Sequence, residues 1–411
     1  MRVAVIGGGV IGLTCAVELR KRGAEVVLLE RATPGAGASS GNAGWLVPVF
    51  SSPLPAPGVV ATSLRWMLQP DSPLFIRPRP NLALLRWLWT FWRKSNQRDF
   101  EHGLLALSAF SSHALADFDT LHADGVEMEM VERGVLFLFT DPASADHLRH
   151  EIGLMAPYGY AHPEILDHAA VERLEPATAR GVVGGLYVPK ERHLRPETLL
   201  RGLTERAVEL GVDVRRATPV IALTRRGDRV SSVLIATGSI EADEVVVCAG
   251  AWSPRLLAPL GLSVPIEAGR GYGVTVTTPG VTLRHPTYLV ERRIACTPLT
   301  GTLRLAGTME FAGLDAAPEP RRFVSIRRGA DQYLRSWRGT SDAEWCGPRP
   351  VTPDGLPMIG RFGAYRNLSI ASGHAMLGVT QAPSTAIAIA DLLCDGRSRY
   401  DVAAFAPGRF G

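Results

Sequence analysis

Three glycines and one acid carry the first chemical signal in this sequence. Gly7, Gly9 and Gly12 stand in the spacing G-x-G-x-x-G, and Glu30 follows about 20 residues later. Each glycine answers a different need: Gly7 permits a tight turn, Gly9 lets backbone approach a pyrophosphate, and Gly12 lets a helix pack closely on a strand. An acid closing the next strand accepts hydrogen bonds from the adenosine ribose, and its charge disfavours the 2′-phosphate of NADP. NAD and FAD both stay open on these residues alone. A glycine-rich turn without a ligand, followed by a solvated acid, is the competing reading.

The elements that must position these residues fit the nucleotide. Arg2 to Ile6 reads as a short β-branched strand, and Leu13, Ala16, Val17 and Leu19 recur at helical spacing after the glycines. Strand, turn and helix in that order aim the helix N-terminus, with its free N–H groups, at a phosphate. Gly23 is expected as the helix C-cap and Glu25 to Leu29 as the second strand.

Three later stretches choose the cofactor. Residues Pro34 to Gly44 are a run of small residues that includes Ser39-Ser40 and Asn42-Ala43-Gly44, a loop that allows backbone to lie against a flat ligand. Glu244 to Val247 reads as a buried strand that runs through Cys248 into Ala249-Gly250-Ala251-Trp252-Ser253. Near the C-terminus come Arg349-Pro350, Asp354-Gly355-Leu356-Pro357-Met358-Ile359-Gly360 and Ser372-Gly373-His374, and Gly378 to Pro383 lead into a closing helix. In this order, from Val3 to Leu393, they resemble the D-amino acid oxidase (DAO) superfamily of FAD-dependent oxidoreductases. Asn42-Ala43-Gly44 running on to Val47-Pro48, the turn Pro55 to Gly58, the segments Arg65-Trp66-Met67 and Arg86-Trp87-Leu88-Trp89, and Arg270-Gly271-Tyr272 look like the bacterial D-amino acid dehydrogenase branch.

The resemblance implies an α/β chain with an α+β substrate domain: a Rossmann-like FAD-binding domain with an inserted mixed-sheet substrate domain, as in glycine oxidase and D-amino acid oxidase. The expected boundaries are 1–55, 180–262 and 345–411 for FAD and 56–179 and 263–344 for substrate. Flavin contacts are carried onto Gly7, Gly9, Val10, Ile11 and Gly12, onto Glu30 and Arg31, and onto Ser39, Ser40, Asn42, Ala43 and Gly44. Further contacts fall on Ala249, Gly250 and Trp252, and on Gly373, His374, Met376, Leu377 and Gly378. Pro196 to Leu210 is expected as a helix with Pro196 at its first turn, and Pro265 to Thr278 and Thr302 to Thr308 as antiparallel strands.

Oxidising an amino acid moves the α-hydrogen and its electron pair to flavin N5, so the protein must fix the Cα–H bond against the ring. A substrate carboxylate calls for a planar guanidinium that binds both oxygens. The resemblance places that role on Arg349, with Tyr272 and Tyr288 as further candidates on the substrate face and His374 on the flavin side. An ordinary surface arginine, core tyrosines and a packed histidine compete with these assignments. Glycine oxidases carry an arginine two places beyond the matching histidine, where this chain has Met376. That departure weakens a glycine or sarcosine substrate and leaves room for an apolar side-chain pocket.

The expected activity is therefore oxidative deamination of D-amino acids, with electrons passed to a quinone or another acceptor. A secondary-amine or imino acid oxidase acting on D-proline, hydroxyproline, sarcosine or glycine with oxygen is the alternative within enzymes. A non-catalytic flavin-binding subunit is the alternative of another class. The net charge of +4 over 411 residues is too small to argue for nucleic acid, and the five scattered cysteines contain no C-x-x-C pair, so no metal site is expected. Met1-Arg2 runs directly into the first strand, which leads to an expected cytoplasmic location without a signal peptide. Asn81 to Lys94 is apolar around most of a helical circumference, with Trp87, Trp89 and Trp92 beside Arg86, Arg93 and Lys94. It is read either as packed on the substrate domain or as a peripheral contact on the inner face of the cell membrane.

Overall fold

The computed structural model describes residues 1–67, 72–160 and 162–410. Alternation along the first strand, Arg2–Ile6, sets the layers of the N-terminal part. Val3 and Val5 are buried with residues of the helices Val10–Lys21, Pro196–Glu209 and Ala382–Cys394. Ala4 and Ile6 face a three-stranded antiparallel sheet of Val220–Arg226, Arg229–Ile235 and Gly238–Ile240. Successive strand side chains point to opposite faces, so burial on both sides gives helix, sheet, sheet.

The central sheet has six strands, in the order Asp213–Arg215, Glu25–Leu29, Arg2–Ile6, Glu244–Val247, Leu368–Ser372 and Met358–Arg361. All neighbours are parallel except the last pair. Strand ends from three distant stretches of chain thereby meet at one edge, where an open α/β sheet binds its ligand.

A second, nine-stranded mixed sheet carries Ser341–Val351, Glu267–Thr277, Thr302–Phe311, Ile294–Leu299 and Thr287–Leu289, then Val135–Phe139, Gly184–Val188 and Glu164–Asp167, with Leu74–Ile76 paired to Met309–Phe311. On Glu267–Thr277 the side chains of Tyr272, Val274 and Val276 pack with Phe323, Ile326 and Ala330 of the helix Pro320–Tyr333. Gly269, Gly271 and Gly273 occupy the other face of that strand.

The Trp-rich segment forms the helix Leu82–Lys94, capped by the Asn81 side chain, which accepts from the N–H groups of Ala83 and Leu84. One side packs: Trp87 stacks on Phe91, touches Phe311, and donates its indole N–H to the Val351 carbonyl at 3.1 Å. The other side leaves Leu82, Leu85, Trp89 and Trp92 more than half exposed. No described helix is long and apolar enough to cross a membrane.

Candidate active site

The two sheets enclose a cavity of about 1380 Å³ that reaches from the first glycine turn to Arg349, whose guanidinium covers Gly271 on Glu267–Thr277. At its nucleotide end the turn is held by steric necessity. Gly7 has φ +110°, and a Cβ on Gly12 would lie 1.8 Å from the Gly7 carbonyl oxygen. The Val10 N–H at the helix start donates to Ser39 Oγ at 3.1 Å. Glu30 accepts from the Gly8 N–H at 2.7 Å and from the Ala32 N–H at 2.9 Å, so its carboxylate is fixed at the cavity wall. The Arg31 guanidinium lies 3.7 Å above the Trp252 ring, and both line the same end with Ala249 and Gly250.

The small-residue loop is fastened from the opposite sheet. Arg304, on Thr302–Phe311, donates to the carbonyls of Ser40 at 3.2 Å and Asn42 at 3.0 Å and pairs with Glu197. Thr297 Oγ donates to the Ala43 carbonyl at 2.7 Å, and Asn42 Oδ accepts the Gly44 N–H at 2.7 Å. A Cβ on Gly41 would fall 1.9 Å from the Trp345 ring, so only glycine lets the loop lie on that indole. Ser39, Asn42 and Ala43 line the cavity, whereas Ser40 and Gly44 do not.

The C-terminal stretch closes another wall through His374, Met376, Leu377 and Gly378, while Gly373, with φ +84°, turns the chain without lining it. His374 is buried with its ring nitrogen 3.0 Å from Thr385 Oγ, and burial drives its pKa down to about 3. It is neutral at physiological pH and packs as a fixed polar wall.

Arg349 stands on Ser341–Val351 opposite Gly269, and its guanidinium lies over Gly271. Its Nη1 donates to the Thr308 carbonyl at 2.7 Å, and no carboxylate pairs with it among the described residues. Burial lowers its pKa to about 10, which leaves it charged at neutral pH. Tyr288 lines the same region against Phe50, ring centroids 5.0 Å apart. Burial raises its hydroxyl pKa, and the charges of Arg293 and Arg349 act in the opposite direction.

Tyr272 is a correction. It was expected on the substrate face, yet its side chain is fully buried on the other side of the sheet, edge-on to Phe323 at 5.1 Å. Its hydroxyl donates to Glu310 and accepts the Glu319 N–H at 3.0 Å. Period-two alternation puts Gly271, not Tyr272, toward the cavity. The signal was present: glycine at 269, 271 and 273 bares one strand face, the mark of a ligand or side chain lying close. Arg304, Trp345 and Thr308 were missed because each acts on a residue distant in sequence, which no local pattern marks. Arg293, whose charge acts on Tyr288, was missed as well.

The cradle suits FAD. Backbone N–H groups at the helix start favour phosphate, Glu30 suits ribose hydroxyls, and the loop under Trp345 leaves a flat surface. No cluster of three or more His, Cys, Asp or Glu side chains able to hold a metal occurs among the described residues.

Comparison with known proteins agrees with this geometry. The family model described as DAO, FAD dependent oxidoreductase, matches residues 2–392. A D-amino acid dehydrogenase of Granulibacter bethesdensis is 32% identical over 425 residues, covering 100% of each chain. One from Methylobacterium sp. is 34% identical over 409 residues, covering 96% of this chain and 95% of its own. Among solved structures, glycine oxidase from Geobacillus kaustophilus superposes with TM-score 0.75 at 26% identity, covering 99% of both chains. L-proline dehydrogenase from P. horikoshii shares the fold, with TM-score 0.74 at 19% identity over 100% of this chain and 97% of that one. With its match running from one end to the other, the chain belongs to the DAO family of FAD-dependent oxidoreductases.

Proposed function

We propose that this enzyme oxidatively deaminates D-amino acids, with Arg349 clamping the substrate carboxylate. One observation carries the reading: a charged guanidinium without a carboxylate partner lines the same cavity as the glycine turn and Glu30. A cation withdrawn from water calls for an anion, and a planar fork suits a carboxylate. Bound FAD supplies the acceptor for the electron pair of the Cα–H bond. Arg349 and Tyr288 hold and orient the substrate, while Val47, Val49, Phe50, Leu148 and Ile152 offer apolar contact to its side chain.

In this reading 1–55, 180–262 and 345–411 serve FAD and 56–179 and 263–344 serve substrate, except that Gly184–Val188 and the strand Ser341–Val351, which bears Arg349, belong to the substrate sheet. We further assign the acceptor as a quinone reached at a lipid surface, supported by the exposed Leu82, Leu85, Trp89 and Trp92 beside Arg86 and Arg93.

Anaerobic mixing of the purified flavoprotein with a panel of D-amino acids, their L-enantiomers and cyclic imino acids tests the activity. Flavin bleaching by D-amino acids is expected. Bleaching by imino acids alone, with rapid peroxide formation in air, would replace this reading with a secondary-amine oxidase. No bleaching by any amine would leave a flavin-binding subunit.

A further inference from the structure

The strand Thr302–Phe311 breaks its register with Glu267–Thr277 beside Arg349. Tyr272 pairs with Gly307 and Arg270 with Glu310, so Thr308 and Met309 together face Gly271. Two residues against one is a β-bulge, a device that re-aims groups beside functional sites. Thr308 adopts φ +53°. For a β-branched residue that left-handed backbone is strained, and such strain persists where surrounding structure enforces it, commonly at ligand sites.

The bulge has two consequences. The Thr308 carbonyl turns to accept from Arg349 Nη1 at 2.7 Å. Thr308 lines the cavity at 6% exposure, and its buried Oγ1 has no hydrogen-bond partner among the described residues. A buried hydroxyl without a partner is unfavourable in isolation and points to a ligand group. A hydroxyl on the residue that seats the guanidinium is a third donor for whatever anion the guanidinium holds.

We propose that Thr308 is a substrate-binding residue: its carbonyl fixes the Arg349 guanidinium, and its hydroxyl donates to a carboxylate oxygen of the bound amino acid. The assignment rests on Arg349 as the carboxylate clamp. It makes the bulge a recognition device for carboxylates and gives amines that lack one no benefit from Thr308.

The test uses the FAD-loaded full chain and propionate as a non-reacting carboxylate, read by perturbation of the flavin absorbance, with propionamide as the neutral counterpart. Thr308→Ser and Thr308→Ala both lose the methyl group, so their difference isolates the hydroxyl. Thr308→Ala should weaken propionate binding roughly ten- to a hundredfold, the range for a hydrogen bond to a charged group, and Thr308→Ser should bind as wild type does. Neither should alter the response to propionamide. For a D-amino acid that turns over, the Ala variant should raise KM with kcat nearly unchanged. If the Ala variant fails to take up FAD, the nearly isosteric Thr308→Val replaces it, with wild-type Thr308 as its reference. Equal propionate binding by the Ala and Ser variants, or by the Val variant and wild type, would overturn the proposal. An Arg349→Ala variant run alongside separates the two ideas: unchanged propionate binding there removes the clamp itself, whereas weakened binding there with no Thr308 effect removes only the hydroxyl.

Discussion

Gly271 makes room for Arg349: a Cβ added to Gly271 would lie 2.3 Å from Arg349 Cζ and 2.4 Å from Nη2. The clash is with the tip of a flexible side chain, so Gly271→Ala should shift the guanidinium rather than unfold the sheet. Stability in urea is expected to change by no more than about 1 kcal/mol. The value of kcat/KM for amino acids should fall roughly a hundredfold, the cost of about 1 Å of misplacement. Arg349→Ala removes the group outright and should cost about 2 to 5 kcal/mol of substrate binding, with flavin content unchanged. Steady-state kinetics on flavin-normalised protein checks both, and an unaltered KM in Arg349→Ala would take the residue out of the site.

Gly12→Ala should yield colourless protein. Its Cβ would meet the Gly7 carbonyl oxygen at 1.8 Å, and backbone on a turn that is itself at φ +110° cannot give way as a side chain can. Gly23→Ala is the control: φ is +81° there, but nothing lies within 4 Å of the added carbon. It should lose about 1 kcal/mol of stability and still bind flavin. Flavin-to-protein absorbance ratios after incubation with excess FAD decide; a fully yellow Gly12→Ala protein would separate this turn from cofactor binding.

The local part of the fold was legible because its signals are short in range. Gly7, Gly9, Gly12, Gly23 and Glu30 specify strand, turn, helix and strand within thirty residues, and the structure follows them. Arg304 could not be read in the same way: it contacts Ser40 and Asn42 from more than 250 positions away, and nothing beside it in sequence tells of that loop. Tyr272 was misplaced for a different reason. A hydroxyl drew attention to one strand face, while the bare glycines at 269, 271 and 273 marked the other. The Trp-rich helix was read as packed or lipid-facing, and its buried Trp87 and exposed Trp89 give it both a packed side and a bare one.

Acid should expose the burial of His374. Its folded pKa of about 3 lies below the ordinary value of about 6.5, so the unfolded chain binds the proton first. Stability from this group is present above about pH 6.5 and is lost as pH falls toward the folded value, by up to about 1.4 kcal/mol per unit. His193, lowered to about 4 by burial, acts with the same sign. His374→Gln should therefore reduce the acid slope of urea stability between pH 6.5 and 4.5 without abolishing it. An unchanged slope would show that the ring gains its proton in the folded state.

Glu191 should act in the opposite direction. Its carboxyl is buried with one oxygen unpaired, and burial raises its pKa to about 8. Stability tied to the protonated form is complete below the ordinary value of about 4.3 and declines as pH rises toward 8. Glu191→Gln, neutral at every pH, should gain on wild type progressively from pH 5 to pH 8. Parallel urea curves for the two proteins across that range would contradict the burial effect.

The exposed side of Leu82–Lys94 should bind anionic lipid. The Trp89 and Trp92 rings lie 4.9 Å apart, tilted by 38°, each is more than half exposed, and Arg86 and Arg93 stand beside them. Indoles favour the headgroup boundary and basic residues favour anionic lipid by about 1 kcal/mol each. Wild-type protein should float with vesicles containing phosphatidylglycerol at low salt and less with phosphatidylcholine alone. Replacing Trp89 and Trp92 by Ser removes apolar area without touching Trp87, which anchors the helix through Val351 and Phe311. The double variant should stay in the soluble fraction and keep its activity with a water-soluble dye, while reduction of a vesicle-borne quinone falls. Equal flotation of the double variant and wild type would place lipid contact elsewhere on the chain.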